Sequence, residues 1–535
     1  MTDSRDNAAN AGCAHEAVNA SGPAYFSHEA VGGLPWMILN KVLMLFVYMG
    51  LSVLTVRLLG PEEYGRFALI RNITDYLVVL CALGLDVALL RFIPELTAHH
   101  NQAGLRRLLV KSLVLQQGAA LLSLAALLCM KPWLDRWFNM DFRGLLLPAG
   151  LLLGATVLKD SLNNAFTALF KVRTVALLSF INGVLWLAFL VGALRWRPEA
   201  AMALTAQTIS LLLVYGVSLV MLTRLVSGLE WRSPPRGVGR HRTLKLSLPT
   251  MFNTILRMLM MKYTEVFFLG IYFTPVVVGY YDLGYSTPQL VLTLIPAALQ
   301  TLFTSAFAQS YTRDPNCLGR MIDSVYKLTI LIVMPLAAFG IFFAPRGIVL
   351  LYGSAMSPAG PVAAAFCILH VLPLISTPLS MAITVKEKVL QMLPYMLLQV
   401  GMNLLLDWLL IPRFGIAGAI AAVALTFILT IPWRLRAVRN ILGSINFPVS
   451  FFLRQVLATV ILAAVLSPLA PHLGLVTFVL VAASYLALYP VLIRLLHLIR
   501  PEEMADLRSL GIKRINRALD LMTGTQRLPA TGGKT

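Results

Sequence analysis

Leu59-Gly60-Pro61-Glu62-Glu63-Tyr64-Gly65-Arg66-Phe67-Ala68-Leu69 is a short acidic turn between two long apolar runs, and it decides the fold. Pro61 and Gly65 are turn-forming residues, so the stretch predicts a tight reversal of the chain. The same frame returns 214 residues later as Thr274-Pro275-Val276-Val277-Val278-Gly279-Tyr280. A second pair of segments, Lys171-Val172-Arg173 and Lys386-Glu387-Lys388, repeats at 215 residues. Pro-x-x-x-Gly alone recurs by chance, but two matching offsets favour two homologous halves.

The composition is that of a membrane protein. Of the 535 residues 58% are hydrophobic and 13% are charged, about half the charged fraction of a soluble protein. Apolar runs of about 20 residues, long enough to cross a bilayer as helices, recur along the chain. The sequence therefore predicts an all-α polytopic membrane protein with about 14 transmembrane helices, arranged as two six-helix lobes and a terminal helix pair.

The net charge of +20 does not indicate nucleic acid. Lys and Arg cluster in the loops between apolar runs, which is the pattern that fixes orientation in a membrane, and no basic soluble domain is present. In alternate loops one set carries nineteen Lys and Arg and the other carries seven. Both termini are therefore expected in the cytosol, and the Pro-x-x-x-Gly turns outside. The five cysteines lack metal or redox spacing, and no cofactor is expected.

The apolar runs and their loops divide the chain into six predicted segments. These are a flexible cytosolic tail (1–34), an N-lobe of six spans (35–226), a basic cytosolic linker (227–247), a C-lobe of six spans (248–440), a terminal helix pair (441–497) and a cytosolic amphipathic tail (498–535). In the last segment, residues 501–522 carry an apolar stripe with interleaved Arg and Lys. This pattern predicts a helix on the inner membrane surface.

Three stretches carry a family resemblance. Residues 58–69, residues 83–96 (Leu-Gly-Leu-Asp-Val-Ala-Leu-Leu-Arg-Phe-Ile-Pro-Glu-Leu) and residues 411–419 (Ile-Pro-Arg-Phe-Gly-Ile-Ala-Gly-Ala) resemble turns of bacterial oligosaccharide flippases. These flippases belong to the multidrug/oligosaccharidyl-lipid/polysaccharide superfamily. The resemblance implies a V-shaped pair of helix bundles that exposes a central cavity to each side in turn. The motifs are structural and transfer no ligand-binding residue.

The same resemblance implies a function and a location. The expected cargo is a polyprenyl-diphosphate-linked oligosaccharide, moved from the inner to the outer leaflet of the bacterial inner membrane. This step would serve the biosynthesis of O-antigen, capsule or exopolysaccharide. A polysaccharide polymerase and chain-length machinery are the implied protein partners, and the protein itself is not expected to be an enzyme.

Polar and charged residues within the spans are the candidate site. A charged group at the centre of a span costs about 2.5–3.5 kcal/mol and therefore usually faces a cavity. The predicted substrate-binding residues are Arg257, Lys41, Lys159, Asn40, Asn253, Asn163 and Asn164. The predicted ion- or proton-coupling residues are Asp75, Asp160 and Glu265. The outer-turn motif, with a structural role, consists of Gly60, Pro61, Tyr64, Gly65, Pro275 and Gly279.

Several of these residues have a simpler interpretation. Lys262 with Glu265, and Arg71 with Asp75, are spaced to form local ion pairs that hold helices together. Lys41 is close enough to the inner face to extend its ammonium group to the interface. His370 is expected as a packed polar residue and Asp407 as an interfacial one.

Two other functions compete. A cation-coupled multidrug exporter of the same superfamily usually has twelve spans, and a cationic cavity would suit organic cations badly. A membrane polysaccharide polymerase or ligase resembles proteins with a large outer catalytic loop. Here the longest outer loop runs only from about Lys131 to Arg143, and no nucleotide or Ser-His-Asp motif is present.

Overall fold

A computed structural model describes residues 28–99, 101–227, 239–313, 317–443 and 447–500, together with 503, 504 and 507. These residues form helices and connecting turns, with no strand in the described ranges. Residues 1–27 of the predicted tail (1–34) lie outside the described ranges. Parts of the predicted linker and of the last predicted segment also lie outside them. The first half of the chain contains α1 (His28–Ala82), α2 (Leu85–Ala98), α3 (Gln102–Cys129), α4 (Lys131–Trp137), α5 (Leu146–Ala168), α6 (Val172–Trp196) and α7 (Ala200–Ser227).

The second half begins after the basic linker. It contains α8 (Arg240–Leu259), α9 (Tyr263–Tyr272), α10 (Pro275–Arg313), α11 (Cys317–Tyr352), α12 (Ala359–Leu369), α13 (Val371–Ile375), α14 (Thr377–Val385), α15 (Leu393–Leu442), α16 (Val449–Leu466) and α17 (Leu475–Leu495). Short 3₁₀ turns span Ser354–Met356, Val389–Met392 and Ser467–His472.

Two of the long helices are each broken by a glycine. Gly60 in α1 has φ of 72°, and Gly415 in α15 has φ of 56°. A positive φ is the left-handed region, which glycine adopts without the steric cost of a Cβ. Each of these helices is therefore two consecutive spans, and both breaks fall in turns that the sequence singled out.

The span count agrees with the sequence prediction. Among the described residues, nine continuous helical stretches are long and apolar enough to cross a membrane. Two of them are divided by Gly60 and Gly415, which makes eleven spans, and the other three spans predicted from the sequence fall on α5, on the pair α8–α9 and on α10. This confirms the predicted all-α polytopic fold of about 14 helices. Many leucine and valine side chains on these helices are exposed on the protein surface; Leu122 and Val476, for example, are each 73% exposed. This is expected of membrane helices, because the lipid around them is apolar.

The chain packs into two compact units. The first consists of Tyr25–Asp282 with Val400–Ala422, and the second of Leu283–Gln399 with the chain from Val423 onward. The first unit thus contains the first six spans, α8 and α9. It also contains the part of α15 on both sides of the break at Gly415. The segment boundaries derived from the sequence stay predictions.

In the second unit α11 lies at the centre of a large apolar core. The chain after α17 joins this core, since Met504 (7% exposed) and Leu507 (0%) are buried in it. Arg454 on α16 donates to the carbonyl of Leu498 at 2.8 Å and pairs with Glu503. At these positions the apolar stripe of the carboxyl-terminal segment packs on protein, where the sequence analysis expected the membrane surface. The rest of that stripe lies beyond the described residues.

Candidate functional site

The two Pro-x-x-x-Gly turns contact each other in the first unit. A Cβ built on Gly65 would lie 1.7 Å from the carbonyl oxygen of Pro275, and one on Gly279 would lie 3.2 Å from Gly65 Cα and from Pro61 O. Such an approach between backbones is open only to residues without a side chain. The sequence repeat therefore corresponds to a physical contact between its two copies.

The neighbouring residues of the first turn have structural partners as well. Glu63 Oε2 accepts a hydrogen bond of 2.8 Å from the backbone N–H of Ala200, the first residue of α7. A carboxylate at this place satisfies a free N–H group and complements the helix dipole. Arg66 pairs with Glu62 at 2.8 Å and with Glu63 at 3.1 Å. Glu63 thus anchors the turn to the start of the sixth span.

The third motif turn lies at the same end of the first unit. A Cβ on Gly415 would lie 3.4 Å from the ring of Phe273, the residue just before Thr274-Pro275. The turns at 60–65, 274–279 and 411–419 are therefore neighbours.

Three side chains beside the contact bond to one another: Tyr64, Asp282 and Lys262. We call these three residues the clamp. The Tyr64 hydroxyl donates to Asp282 Oδ2 at 2.7 Å, and Lys262 Nζ pairs with Asp282 Oδ1. Both carboxylate oxygens of Asp282 are therefore bonded, and the residue is only 8% exposed. Lys262 lies in the break between α8 and α9, so its interpretation as a partner of Glu265 does not match the structure: the carboxylate that it reaches is on α10.

Glu265 belongs instead to a buried acidic cluster, defined by Thr264, Glu265, Asn403 and Asp407. Asn403 Nδ2 donates to Asp407 Oδ2 at 2.8 Å and lies 3.3 Å from both Glu265 Oε1 and Thr264 Oγ1. Thr264 Oγ1 lies 3.3 Å from Glu265 Oε2. Glu265 is 1% exposed and Asp407 0%. The expectation that Asp407 is interfacial was wrong, because its side chain turns inward to Asn403.

The chemistry of this acidic cluster requires a balancing charge. Two carboxyl groups away from water cannot both stay ionised without compensation. One amide is shared between them, and Asp407 Oδ1 has no hydrogen-bond partner among the described residues. A proton or a bound cation would supply the missing positive charge. The Asn403-x-x-x-Asp407 spacing, one helical turn within an apolar span, is a sequence signal for this site that the sequence analysis did not use.

Arg71 and Asp75 form the local pair that their spacing allowed. Arg71 Nε donates to Asp75 Oδ1 at 3.2 Å, and its Nη1 donates to Gln207 Oε1 on α7 at 2.7 Å. The guanidinium also lies 6.0 Å from the centre of the Trp186 ring on α6. Asp75 therefore has a cationic partner within its own helix, and Arg71 connects three spans.

The predicted residues of α5 lie in a half-buried polar cluster. Lys159 Nζ pairs with Asp160 at 3.0 Å, and Asn163 donates to the Tyr215 hydroxyl at 3.2 Å. Asn164 lies near Asp86 on α2. The sequence analysis had not named Asp86 and Tyr215 as members of this site.

The Asp86 side of this cluster continues to α3. Gln116 of α3 donates to Asp86 Oδ1 at 3.3 Å and to the Ala82 carbonyl at 3.0 Å, and it accepts from Ser161 of α5 at 2.5 Å. One amide thus ties α3 to α5 and to the end of α1. The polar groups of α5 are held in place by hydrogen bonds rather than left mobile.

Arg257 differs from the other cations. It lies in the last turn of α8, its side chain is exposed, and it forms no salt bridge with any described residue. Asn253, one turn earlier, is partly buried. Within the described residues, no hydrogen bond or ion pair joins Arg257 to Lys159. The side chains of Asn40 and Lys41 lie outside the described residues.

The amino-terminal end of α8 is held on α2 by a separate contact. Arg242 donates to both oxygens of Glu95, at 2.7 Å and 3.0 Å, and its guanidinium lies 5.1 Å from the Phe92 ring. The hydrogen bonds from Arg242 lower the pKa of the Glu95 carboxyl. Gly84, with φ of 66°, admits the Ser247 carbonyl, which a Cβ there would meet at 2.1 Å. Thus α8 is fixed to α2 at its start and carries Arg257 at its end.

Comparisons with known proteins identify the fold and the family. The solved structure "Lipid II flippase MurJ, inward closed conformation" matches with a TM-score of 0.66 and 14% identity, covering 87% of this chain and 99% of that one. An inward-facing multidrug resistance MATE family transporter of the MOP superfamily matches with a TM-score of 0.59 and 16% identity, covering 74% and 96%. An outward-facing transporter of that MATE family matches with a TM-score of 0.51 and 15% identity, covering 76% and 96%.

At these identities the structures show the fold alone. Among curated proteins no sequence matches the chain. The family model described as "Polysaccharide biosynthesis protein" matches residues 53–361, which include both Pro-x-x-x-Gly turns, the clamp and Arg257. The chain is a multi-pass membrane protein with the fold of the MOP superfamily transporters, and it belongs to the family of polysaccharide biosynthesis proteins.

Proposed function

We propose that this protein is a flippase that moves a polyprenyl-diphosphate-linked oligosaccharide from the inner to the outer leaflet of the bacterial inner membrane. The cargo is a unit for polysaccharide biosynthesis, of the O-antigen, capsule or exopolysaccharide class, and movement is by alternating access. The family match over residues 53–361 supports the polysaccharide part of this proposal, and the MOP fold supports the transport part. The observation that carries it at the level of residues is the exposed Arg257 within the seventh span.

Arg257 has the properties that a diphosphate ligand requires. A guanidinium offers a fork of N–H donors that matches phosphate oxygens. Arg71 is paired with Asp75 and Lys159 with Asp160, whereas Arg257 has no ion-pair partner in the described part of the chain. Fixed at its start by Arg242, α8 holds this free cation on a supported helix. The lipid diphosphate is the group that fits it.

The amide and cationic groups named from the sequence would then serve the sugars. Asn253 lies one turn from Arg257, and Asn163, Asn164 and Lys159 form a second polar surface on α5. Asn40 and Lys41 would add to them from the first span. Amides offer both donors and acceptors, as sugar hydroxyls require.

The acidic cluster is the proposed coupling site. Glu265 and Asp407 lie together in a nearly water-free place with one shared amide. Binding or release of a proton or a monovalent cation there changes the local charge by one unit and would drive the change of conformation. Asp75 and Asp160, named as coupling residues from sequence, are each beside a cation, which supports a positioning role for them.

Two alternatives have the same fold or the same pathway. A multidrug exporter is favoured by the MATE-like fold, yet Arg257 would repel an organic cation. A polymerase or ligase would need a catalytic constellation, and the described outer segment Lys131–Trp137 offers ion pairs, Lys131 with Asp135 at 2.5 Å, and an exposed tryptophan pair. We also propose that both termini lie in the cytosol and that a polymerase and chain-length machinery are the protein partners.

Deletion of the gene, followed by analysis of polyprenyl-linked intermediates, tests the proposal. We expect lipid-linked oligosaccharide to accumulate on the cytosolic side and polysaccharide export to stop. Normal export together with a new sensitivity to cationic drugs would support the exporter instead. Accumulation of completed oligosaccharide units on the outer face would place the defect at polymerisation.

A further inference from the structure

The contact between the two Pro-x-x-x-Gly turns is unusual because backbone meets backbone. Gly65 approaches Pro275, and Gly279 approaches Gly65 and Pro61; the atoms that a Cβ on either glycine would meet first are all backbone atoms. The two glycines have no side chain that could hold the turns together. What holds it closed must therefore lie in the side chains beside it.

The clamp is placed where it can hold the turns. Tyr64 directly precedes Gly65, and Asp282 follows Gly279 by three residues, so each side chain starts within one helical turn of a contacting glycine. The hydrogen bond of 2.7 Å from Tyr64 to Asp282 spans the contact. Asp282 is buried, and Lys262 is the cation paired with it. Loss of the carboxylate would release both partners together.

Lys262 links this clamp to the acidic cluster. It lies at the break after α8, and Glu265 is on the first turn of α9, three residues later. A rotation of that turn displaces both side chains. A change of charge at Glu265 and Asp407 can thus act on the contact through one turn of helix.

We infer that Asp282, through Tyr64 and Lys262, is the positioning residue that holds the two Pro-x-x-x-Gly turns together, and that its release separates the turns and opens the outer side. This inference rests on the alternating access of the proposed function, but it concerns the gate and not the identity of the cargo.

The test is the accessibility of Val278, which is 0% exposed and lies next to Gly279. A single cysteine, Val278→Cys, is placed in a protein whose five cysteines are replaced by alanine. Whole cells are treated with a membrane-impermeant maleimide. We expect slow labelling, and a rise of about tenfold or more when Asp282→Asn is added. Lys262→Arg, which keeps a cation for Asp282, should keep the labelling slow.

A second buried position controls for general loosening. Leu204 on α7 is also 0% exposed, and Leu204→Cys should label equally slowly with and without Asp282→Asn. An equal rise at Leu204 and Val278 would overturn the inference. If Asp282→Asn does not reach the membrane, Tyr64→Phe decides, because it removes only the hydroxyl: faster labelling of Val278→Cys supports the clamp, and an unchanged rate refutes it. Because no cargo is assayed, failure here leaves the flippase proposal standing, and failure of the cargo assays leaves the gate standing.

Discussion

Gly65→Ala is the substitution whose effect follows most directly from the geometry. The new methyl group would lie 1.7 Å from Pro275 O, 2.3 Å from its carbonyl carbon and 3.1 Å from its Cα. Nonbonded heavy atoms are most stable at about 3.5 Å, so the two turns must separate by roughly 1.5 Å or more. Overpacking costs about 1–3 kcal/mol, and a backbone obstacle places this case near the upper end. We expect a protein that inserts but melts earlier and has its turn contact open.

Gly118→Ala in α3 is the matched control. No atom lies within 4 Å of a Cβ at Gly118, and alanine in a helix interior is more stable than glycine by about 0.5–1 kcal/mol. Gly279→Ala, with contacts at 3.2 Å, should fall between the two. Melting temperatures of the purified proteins, measured by intrinsic fluorescence, give the order. If Gly65→Ala melts at or above Gly118→Ala, the contact between the turns is not present and the account of the motif fails.

Three further predictions concern charges. Arg257→Ala should lower cargo affinity about tenfold or more, because a charge-assisted contact contributes about 1.5–3 kcal/mol, and Arg257→Lys should retain partial export; full export by the alanine variant in a deletion strain, at equal protein level, would refute the phosphate role. Asp407→Asn should make transport in vesicles independent of the imposed cation or proton gradient, and an unchanged dependence would exclude the acidic cluster as coupling site. The hydrogen bonds from Arg242 lower the pKa of Glu95, so their stabilising effect is present above the ordinary Glu pKa of about 4.3 and is lost as pH falls through the lowered pKa. A double-mutant cycle at neutral pH should give a coupling of about 0.2–1 kcal/mol, and this coupling should decrease as acid protonates Glu95 in the folded protein; a coupling that does not change with pH would contradict the assignment.

The fold was predictable because membrane spans depend on local composition. Length, apolar runs and turn residues are properties of neighbouring positions, and the glycine breaks at Gly60 and Gly415 were visible as motifs. The local Arg71–Asp75 pair followed from helical spacing for the same reason.

The site was less predictable because its partners are distant in sequence. Lys262 was near Glu265 along the chain, yet it pairs with Asp282, which a helix break brings into reach. The interpretation of Asp407 used only its depth in the span. In the structure its side chain bonds to Asn403 on the same helix, which also contacts Glu265 on α9. Glu63 was assigned only to an acidic turn, although it caps the helix that starts at Ala200. Except for Asn403, which lies one helical turn before Asp407, these partners are distant in sequence from the residues that they contact.

Transport of a defined cargo by the purified protein tests the central claim most directly. The protein is reconstituted into vesicles with a fluorescent polyprenyl-diphosphate-linked oligosaccharide, and an enzyme that removes the label from the outer leaflet only reports its movement. We predict that the protein brings inner-leaflet cargo within reach of the enzyme, and that Arg257→Ala abolishes most of this movement while its protein level in the vesicles is unchanged. Two observations together would contradict the claim: the inner-leaflet cargo stays inaccessible to the enzyme, and the same vesicles export an organic cation. The protein would then be a drug exporter.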